Sequence, residues 1–236
     1  MSHLKRLRIP RFWKVRKKER KWAVSPRPGP HKKFESIPNL VLVRDILKLA
    51  DTAKEAKRII KSGNIFVDKK RKKDEKYPLG FMDSIEIPEL KKYYRISVNK
   101  HGLNIIEISS KESELKLCKI VSKTFLKKGK LQLNLHDGKN IIVDIKNKKD
   151  DYKTGDSILL KLPEQKIQQH LKLEKDMVAL ITHGQNKGQI VKIKEIIETP
   201  TGEPTKIVCS QKDKIFESIK DYIFVIGKTK PVIKVE

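Results

Sequence analysis

The chain has 236 residues and carries 55 Lys and Arg against 29 Asp and Glu, a formal net charge of +26 at pH 7. Charge of that size and sign points to a polyanionic partner, whether RNA, DNA or an anionic membrane, and argues against an enzyme for small neutral substrates. No apolar run approaches the ~20 residues of a membrane helix, the basic start lacks the apolar stretch of a secretory signal, and Cys118 and Cys209 lie too far apart for a disulfide framework or a thiolate zinc site. Two isolated cysteines fit a reducing, intracellular compartment.

Residues 1–33 hold thirteen cations (Lys5, Arg6, Arg8, Arg11, Lys14, Arg16, Lys17, Lys18, Arg20, Lys21, Arg27, Lys32 and Lys33) against one acid, Glu19. Nearly half of the net charge therefore lies in the first seventh of the chain. Pro10, Pro26, Pro28, Gly29 and Pro30 rule out one long helix. Such an arm is expected to be largely disordered in isolation and to order by laying its cations along phosphates. Phe12, Trp13, Trp22 and Phe34 suit either anchorage to the rest of the protein or stacking on exposed bases.

Residues 38–50, PNLVLVRDILKLA, predict a helix opening on a proline, with Leu40, Val43 and Leu47 on an apolar face. Arg44 and Lys48, four apart, share another face. The next stretch, DTAKEAKRIIKSG, predicts a second helix. Thr52 and Glu55 have capping-box spacing, and Gly63 stands where a helix should end. Ala53, Ala56 and Ile60 form its packing stripe, while Lys54, Lys57, Arg58 and Lys61 form a basic one. A short strand, IFVD, runs into KKRKKDEK. There Lys69, Lys70, Arg71, Lys72 and Lys73 repel one another too strongly to face a core; a solvated turn or direct phosphate contact would accommodate them. YPLGFMDSIEI closes the unit, with Pro78 and Gly80 in a turn and Ser84–Ile87 as a returning strand.

From about residue 91 the runs YYRISV, LNIIEI, KLQLNL, NIIVDI and DSILLKL alternate with glycine-bearing turns, which predicts a small barrel or sandwich. LHDGKN at 135–140 is a hairpin turn, and a turn accounts for His136 and Asp137 without any chemistry. Asp144, Asp150 and Asp151 are the best carboxylate candidates and suit a solvated loop. QKIQQHLKL at 165–173 suits a linker helix or an irregular connector. From 174 onward, VALIT, QIVKIKEII, TKIVCS and DYIFVIG predict a third unit of strands. Its loop HGQNKG is followed by a strand, so it is not a nucleotide phosphate loop.

Taken in order, these segments resemble one family. The 38–88 stretch resembles the S4 domain, a small α/β RNA-binding module, through Leu40, Arg44, Asp45, Leu47, Ala53, Ala56, Ile60, Gly63, Ile65, Val67 and Asp68. ITHGQNKGQIVKI at 181–193 resembles a KOW motif. Together with HLKRLRIPRFW, WAVSPRPGPHK, VRDILKLADTAKEAKRII, YPLGFMD and IFVIG, they make the whole chain similar to the ribosomal S4e family (eS4) in its archaeal form.

That resemblance implies an α+β multi-module fold. Its parts would be a basic N-terminal extension (1–37), a small α/β S4 domain (38–90), a central β-rich barrel-like domain (91–173) and a C-terminal SH3-like KOW barrel (174–236). It implies a structural constituent of the small ribosomal subunit in the cytoplasm, binding 16S-type rRNA beside neighbouring small-subunit proteins. No catalysis, cofactor, metal, membrane or small-molecule substrate is implied. The RNA-facing residues carried over are Arg44, Lys48, Lys54, Lys57, Arg58 and Lys61; the arm cations, the 69–73 block and Lys187 complete the expected set.

The chain departs from the family pattern in two places. Lys69 stands where the family has a glycine after Val-Asp. In the KOW loop His183, Gln185, Gln189 and Val191 replace two glycines and two arginines, while Gly184, Asn186 and Gly188 remain. Lysines outnumber arginines 45 to 10, which favours distributed charge neutralisation over bidentate base contacts. The competing readings are a non-ribosomal RNA chaperone or regulator and an RNA-modification enzyme with an appended S4 module. The second would need a catalytic cluster that the 91–170 stretch does not supply.

Overall fold

A computed structural model of the protein describes residues 3–144, 151–198, 203–211 and 214–235, in two units, Met1–Lys116 and Leu117–Val235. Asp150 lies outside the described residues.

In the first unit the arm is held by its own apolar residues. β1 (Leu4–Lys5) pairs antiparallel with β2 (Trp22–Ala23), and Leu4, Ile9 and Trp13 are buried in the unit's core. Each such side chain contributes roughly 1.5–3 kcal/mol on burial, which offsets part of the entropy of ordering the arm. Trp13 Nε1 donates to the Ser36 carbonyl at 2.9 Å, and Phe12 packs on the same core. Trp22 and Phe34 face solvent. An arm whose charge suggested that it needs RNA to order is therefore packed on its own protein, because apolar residues recur among its cations.

β3 (Ile37–Pro38) leads into a helix that differs from the expected one. Only α1 (Asn39–Val41) is regular; Leu42–Ile46 widens into a π-turn, in which the Leu47 N–H donates to the Leu42 carbonyl at 2.9 Å. Lys48, at φ 52°, then turns the chain left-handed. Arg44 and Lys48 consequently do not share a helix face. Leu40, Val41, Leu42 and Val43 are all buried, so this segment is enclosed on every side and packing, rather than one amphipathic face, sets its geometry.

α2 (Ala53–Ser62) forms as predicted. The Glu55 N–H donates to Thr52 Oγ1 at 3.2 Å, and the Thr52 N–H donates to Glu55 Oε2 at 3.3 Å. Gly63, at φ 85°, ends the helix in the left-handed conformation that glycine takes without a steric penalty.

β4 (Phe66–Val67) and β5 (Lys70–Arg71) form a hairpin whose two turn residues, Asp68 and Lys69, have φ of 50° and 61°. Two left-handed residues in a row normally favour Asn-Gly or Asp-Gly; here Lys69 takes the second place. β6 (Pro78–Leu79) pairs with β3. β7 (Ser84–Ile87), β8 (Lys92–Asn99) and β9 (Gly102–Glu107) complete a five-stranded sheet in the order β5-β4-β7-β8-β9, followed by α3 (Ser110–Ser113).

This sheet crosses residue 90 without a break. The first two β runs expected in the 91–173 segment are thus strands of the first unit. The physical reason is burial. All four residues of β7 are inaccessible, so its backbone groups need partners on both edges, which β4 and β8 supply.

The longest strand, β10 (Leu115–Leu126), is absent from the predicted runs, because Lys116, Lys119 and Lys123 interrupt its apolar pattern. β11 (Lys130–Leu135), β12 (Asn140–Asp144), β13 (Ser157–Lys161) and β14 (Lys166–Leu171) join it in the order β12-β11-β10-β13-β14. β14 corrects the reading of 165–173 as a helix or irregular connector. Leu171 is buried, and Ile167 packs on a core that includes Cys118, Ile120, Leu133 and Leu160. The 135–140 turn holds, with Gly138 at φ 73° and the Lys139 N–H donating to Asp137 Oδ1 at 3.2 Å.

A further sheet of the second unit comprises β15 (Val178–Ile181), β16 (Ile190–Ile197), β17 (Lys206–Gln211), β18 (Lys214–Ile219) and β19 (Ile223–Gly227), in the order β18-β17-β16-β15-β19. β18 was not predicted, since KIFESI carries two charges and exposes Ile215. The chain as a whole is β-rich with few helices.

Candidate nucleic-acid interface

α2 turns Ala56 and Ile60 into the core and leaves Lys54, Lys57, Arg58 and Lys61 exposed. Glu75 approaches one of them, 3.5 Å from Lys57. The 70–73 segment comes to the C-terminal end of the same helix. A Cβ added at Gly63 would stand 2.7 Å from Arg71 Cδ and 3.2 Å from Lys73 Cε. Arg71 lies over the Phe66 ring at 5.4 Å and Lys72 over the Tyr77 ring at 4.4 Å, while Lys70 is exposed.

The arm reaches this loop too. The Arg27 N–H donates to the Lys76 carbonyl at 2.9 Å, and its guanidinium pairs with Asp74 at 3.2 Å. Helix, loop and arm segment therefore converge on one basic surface.

Other expected contact residues lie elsewhere. Arg44 is half-buried and bonds Asp45 at 3.2 and 2.8 Å, and Lys48 projects beyond the end of the helix. Lys69 turns inward, with Nζ 2.7 Å from Glu86 and 3.1 Å from Ser113 Oγ. One of the five consecutive cations thus does face the interior, because two acceptors meet it there. Arg6 is buried and pairs at 3.1 Å with Glu19, the single acid of residues 1–33. Lys5, Arg8, Arg11, Lys14, Arg16, Lys18, Arg20, Lys21 and Lys32 are exposed, and Lys17 and Lys33 partly so. Lys187, in the second unit, is half-buried in the loop between β15 and β16. That loop turns at Gly184 (φ 86°) and Gly188 (φ 82°).

Sequence reasoning missed what lies beneath this surface. Lys116 is fully buried, with Nζ 2.6 Å from Asp68 Oδ2 and 2.7 Å from Asp83 Oδ1. The other Asp83 oxygen accepts the Gly80 N–H at 2.9 Å and lies 2.9 Å from His31 Nε2. Asp68 Oδ1 accepts the Ser84 N–H at 3.1 Å. Arg95, also buried, donates to the Glu112 and Leu115 carbonyls at 2.7 and 2.9 Å.

One ammonium thereby ties the basic hairpin, the returning strand and, through Asp83 and His31, the arm. Burial pushes the Asp83 carboxyl up, but Lys116 and His31 outweigh it and hold the group well below the usual carboxylate range. No local pattern could have marked this cluster, since Lys116 stands 48 and 33 residues from its two partners.

Gly80 is the close-packed point of the network. A Cβ there would stand 2.1 Å from His31 Cγ. Gly80→Ala is expected to drive the imidazole off Asp83 and cost about 1–3 kcal/mol, as overpacking does. The measurement is a urea unfolding midpoint, and an unshifted midpoint would contradict the tight fit of the arm at this site.

Among the described residues there is no His, Cys, Asp and Glu group able to hold a metal ion, and no helix long and apolar enough to cross a membrane. A β-rich chain with a short helical pair, a basic hairpin and a charged outer face defines a protein of the S4-domain class. The S4 domain matches residues 41–85, the RS4NT domain residues 2–34, and ribosomal family S4e residues 90–167.

Small ribosomal subunit protein eS4 of Methanothermobacter thermautotrophicus is 44% identical over 98% of this chain and 95% of its own. The eS4 protein of Archaeoglobus fulgidus is 45% identical over 98% and 97%. The crystal structure of the 30S ribosomal protein S4e from Thermoplasma acidophilum matches with a TM-score of 0.70 at 32% identity, over 83% of this chain and 96% of that one. The chain belongs to the ribosomal S4e family, eS4.

Proposed function

We propose that this chain is a structural constituent of the small ribosomal subunit, in the cytoplasm, where it binds and organises 16S-type rRNA beside neighbouring small-subunit proteins. The observation that carries the proposal is the basic surface on which α2, the 70–73 segment and the arm around Arg27 converge. No chemistry is required of it. Its curated relatives are named as ribosomal proteins.

Lys and Arg on this surface neutralise phosphates and release counterions; even ~6–8 such contacts would make affinity fall steeply with salt. The major groove of A-form RNA is too deep and narrow for side chains to read, so backbone and shape recognition dominate. In this reading Lys54, Lys57, Arg58, Lys61, Lys70, Arg71 and the exposed arm cations meet phosphate directly. Arg6, Arg44 and Lys69, already paired with carboxylates, act by holding the backbone that presents the others.

The ranges of the matching families support reading the chain as a basic extension (1–37), an S4 domain (38–90) and a central β-rich domain (91–173), laid over two structural units. For residues 174–236, the glycine-bearing loop between β15 and β16 and the five-stranded sheet favour a KOW-type, SH3-like barrel.

A sucrose gradient run after a high-salt wash tests the assignment. Stable cosedimentation with the small-subunit particle is expected. Recovery only in the free pool would overturn the structural role and favour a dissociable RNA chaperone.

A further inference from the structure

The two tryptophans of the chain have opposite surroundings. Trp13 is fully buried, whereas Trp22 is 49% exposed within the most cationic stretch of the sequence. The backbone beneath Trp22 is anchored. Lys5 and Trp22 face each other across β1 and β2, the Arg6 N–H donates to the Lys21 carbonyl at 3.0 Å, and Leu4 on the same short strand is buried. Lys21 Nζ lies 5.3 Å from the indole ring centroid, and the His3 ring lies 5.4 Å from it, tilted by 46°. Lys5 and Lys21 are both exposed, and Glu19, the single acid nearby in sequence, is engaged by Arg6.

A protein partner would cover an indole with apolar atoms and would find a matching apolar rim around it. Beside Trp22 stand Lys21, whose ammonium lies near the ring, and Lys5, its register partner across the strand pair. That combination, an exposed π-face on a paired backbone beside exposed lysines, fits a ligand that carries both a flat aromatic surface and negative charge. We propose that Trp22 is a stacking platform for an unpaired base of RNA, with Lys5 and Lys21 on the phosphates to either side of it. As the base arrives, Lys21 exchanges the indole face for phosphate. The proposal rests on the RNA-binding reading and extends it from phosphate contact to base contact.

The full-length chain supplies its own probe, because Trp13 is shielded and Trp22 is not. Fluorescence is followed while a single-stranded oligoadenylate, or an RNA duplex of the same length, is titrated in. The single strand is expected to quench the wild type and to leave Trp22→Phe, which reports Trp13 alone, unchanged. Trp22→Leu, which keeps apolar bulk without a π-face, is expected to weaken single-strand binding about 5- to 150-fold, the range for losing one stacked base, with an unaltered salt slope. Trp22→Phe should retain most of the affinity.

Salt-dependent RNA binding with unquenched emission and full affinity for Trp22→Leu would overturn the platform and leave the RNA-binding reading standing. Equal quenching by the duplex would overturn the unpaired-base assignment. Failure of the wild type to bind any RNA would remove the underlying reading, and the platform with it.

Discussion

Lys116→Met is expected to destabilise the first unit by about 3–5 kcal/mol, the cost of leaving buried charges without their partner. Methionine keeps much of the length of lysine and removes the ammonium that lies 2.6 Å from Asp68 and 2.7 Å from Asp83. Both carboxylates are then enclosed with only hydrogen-bond donors and His31 to compensate them.

The pH dependence should change sign as well. In the wild type the folded Asp83 carboxyl titrates below its unfolded value, so the stability it contributes is present above about pH 3.9 and is lost as pH falls through the folded pKa. Without Lys116, burial dominates and raises the folded pKa above the unfolded one. Mild acidification, down to about the unfolded value, then protonates the Asp83 carboxyl preferentially in the folded state and should stabilise the variant. Urea unfolding of both proteins at neutral and mildly acidic pH measures the two effects. Equal stabilities at neutral pH would show that the ammonium contributes nothing net. A second variant, Lys116→Met with Asp83→Asn, should recover part of the loss, because replacing both charged members of a buried pair costs far less than removing one.

The second large effect is on binding. Replacing Lys54, Lys57, Arg58 and Lys61 together by Gln is expected to leave α2 intact, since glutamine is a comparable helix former and the Thr52 and Glu55 cap is untouched. The slope of log affinity against log salt should fall by about 0.7 to 0.9 for each phosphate no longer neutralised, up to about 3.6 for all four. A filter-binding titration with small-subunit rRNA at several salt concentrations reads this directly. Weakened binding at an unchanged slope would mean that these side chains act through the fold, and unchanged binding would remove α2 from the interface.

α2 was legible in the sequence because every determinant of it is local. Its capping pair, apolar stripe, basic stripe and terminal glycine fall within twelve residues, 52–63, and the structure preserves each of them. The turn at Asp68 and Lys69 was partly legible. The missing glycine was visible, and the structure shows the lysine taking the left-handed conformation anyway, at φ 61°, with its ammonium held by Glu86 and Ser113.

The helix over 38–50 was misread beyond Val41, since an apolar run enclosed on all sides carries no face from which to read a period. β10 was invisible for a related reason. A lysine in a strand looks solvated in a one-dimensional pattern, yet Lys119 donates to the carbonyls of Lys220, Asp221 and Ile223 at 3.0, 2.9 and 2.8 Å. Burial lowers its pKa to about 8.

Composition alone pointed to a polyanionic partner, and the cations were visibly clustered at 1–33, 54–61 and 69–73. Local spacing also settled the capped helix and several glycine turns, because helix caps and tight turns are decided by neighbours a few residues away. Which cations face solvent could come only from the folded chain. Lys116, Lys69, Arg6 and Arg95 are drawn inside by carboxylates and carbonyls, and for Lys116, Lys69 and Arg95 the partners are 17 to 48 residues distant. A hydrogen bond or ion pair depends on separation in space, which sequence distance does not report. The +26 is thus divided between cations that hold the protein together and a larger set left exposed to solvent.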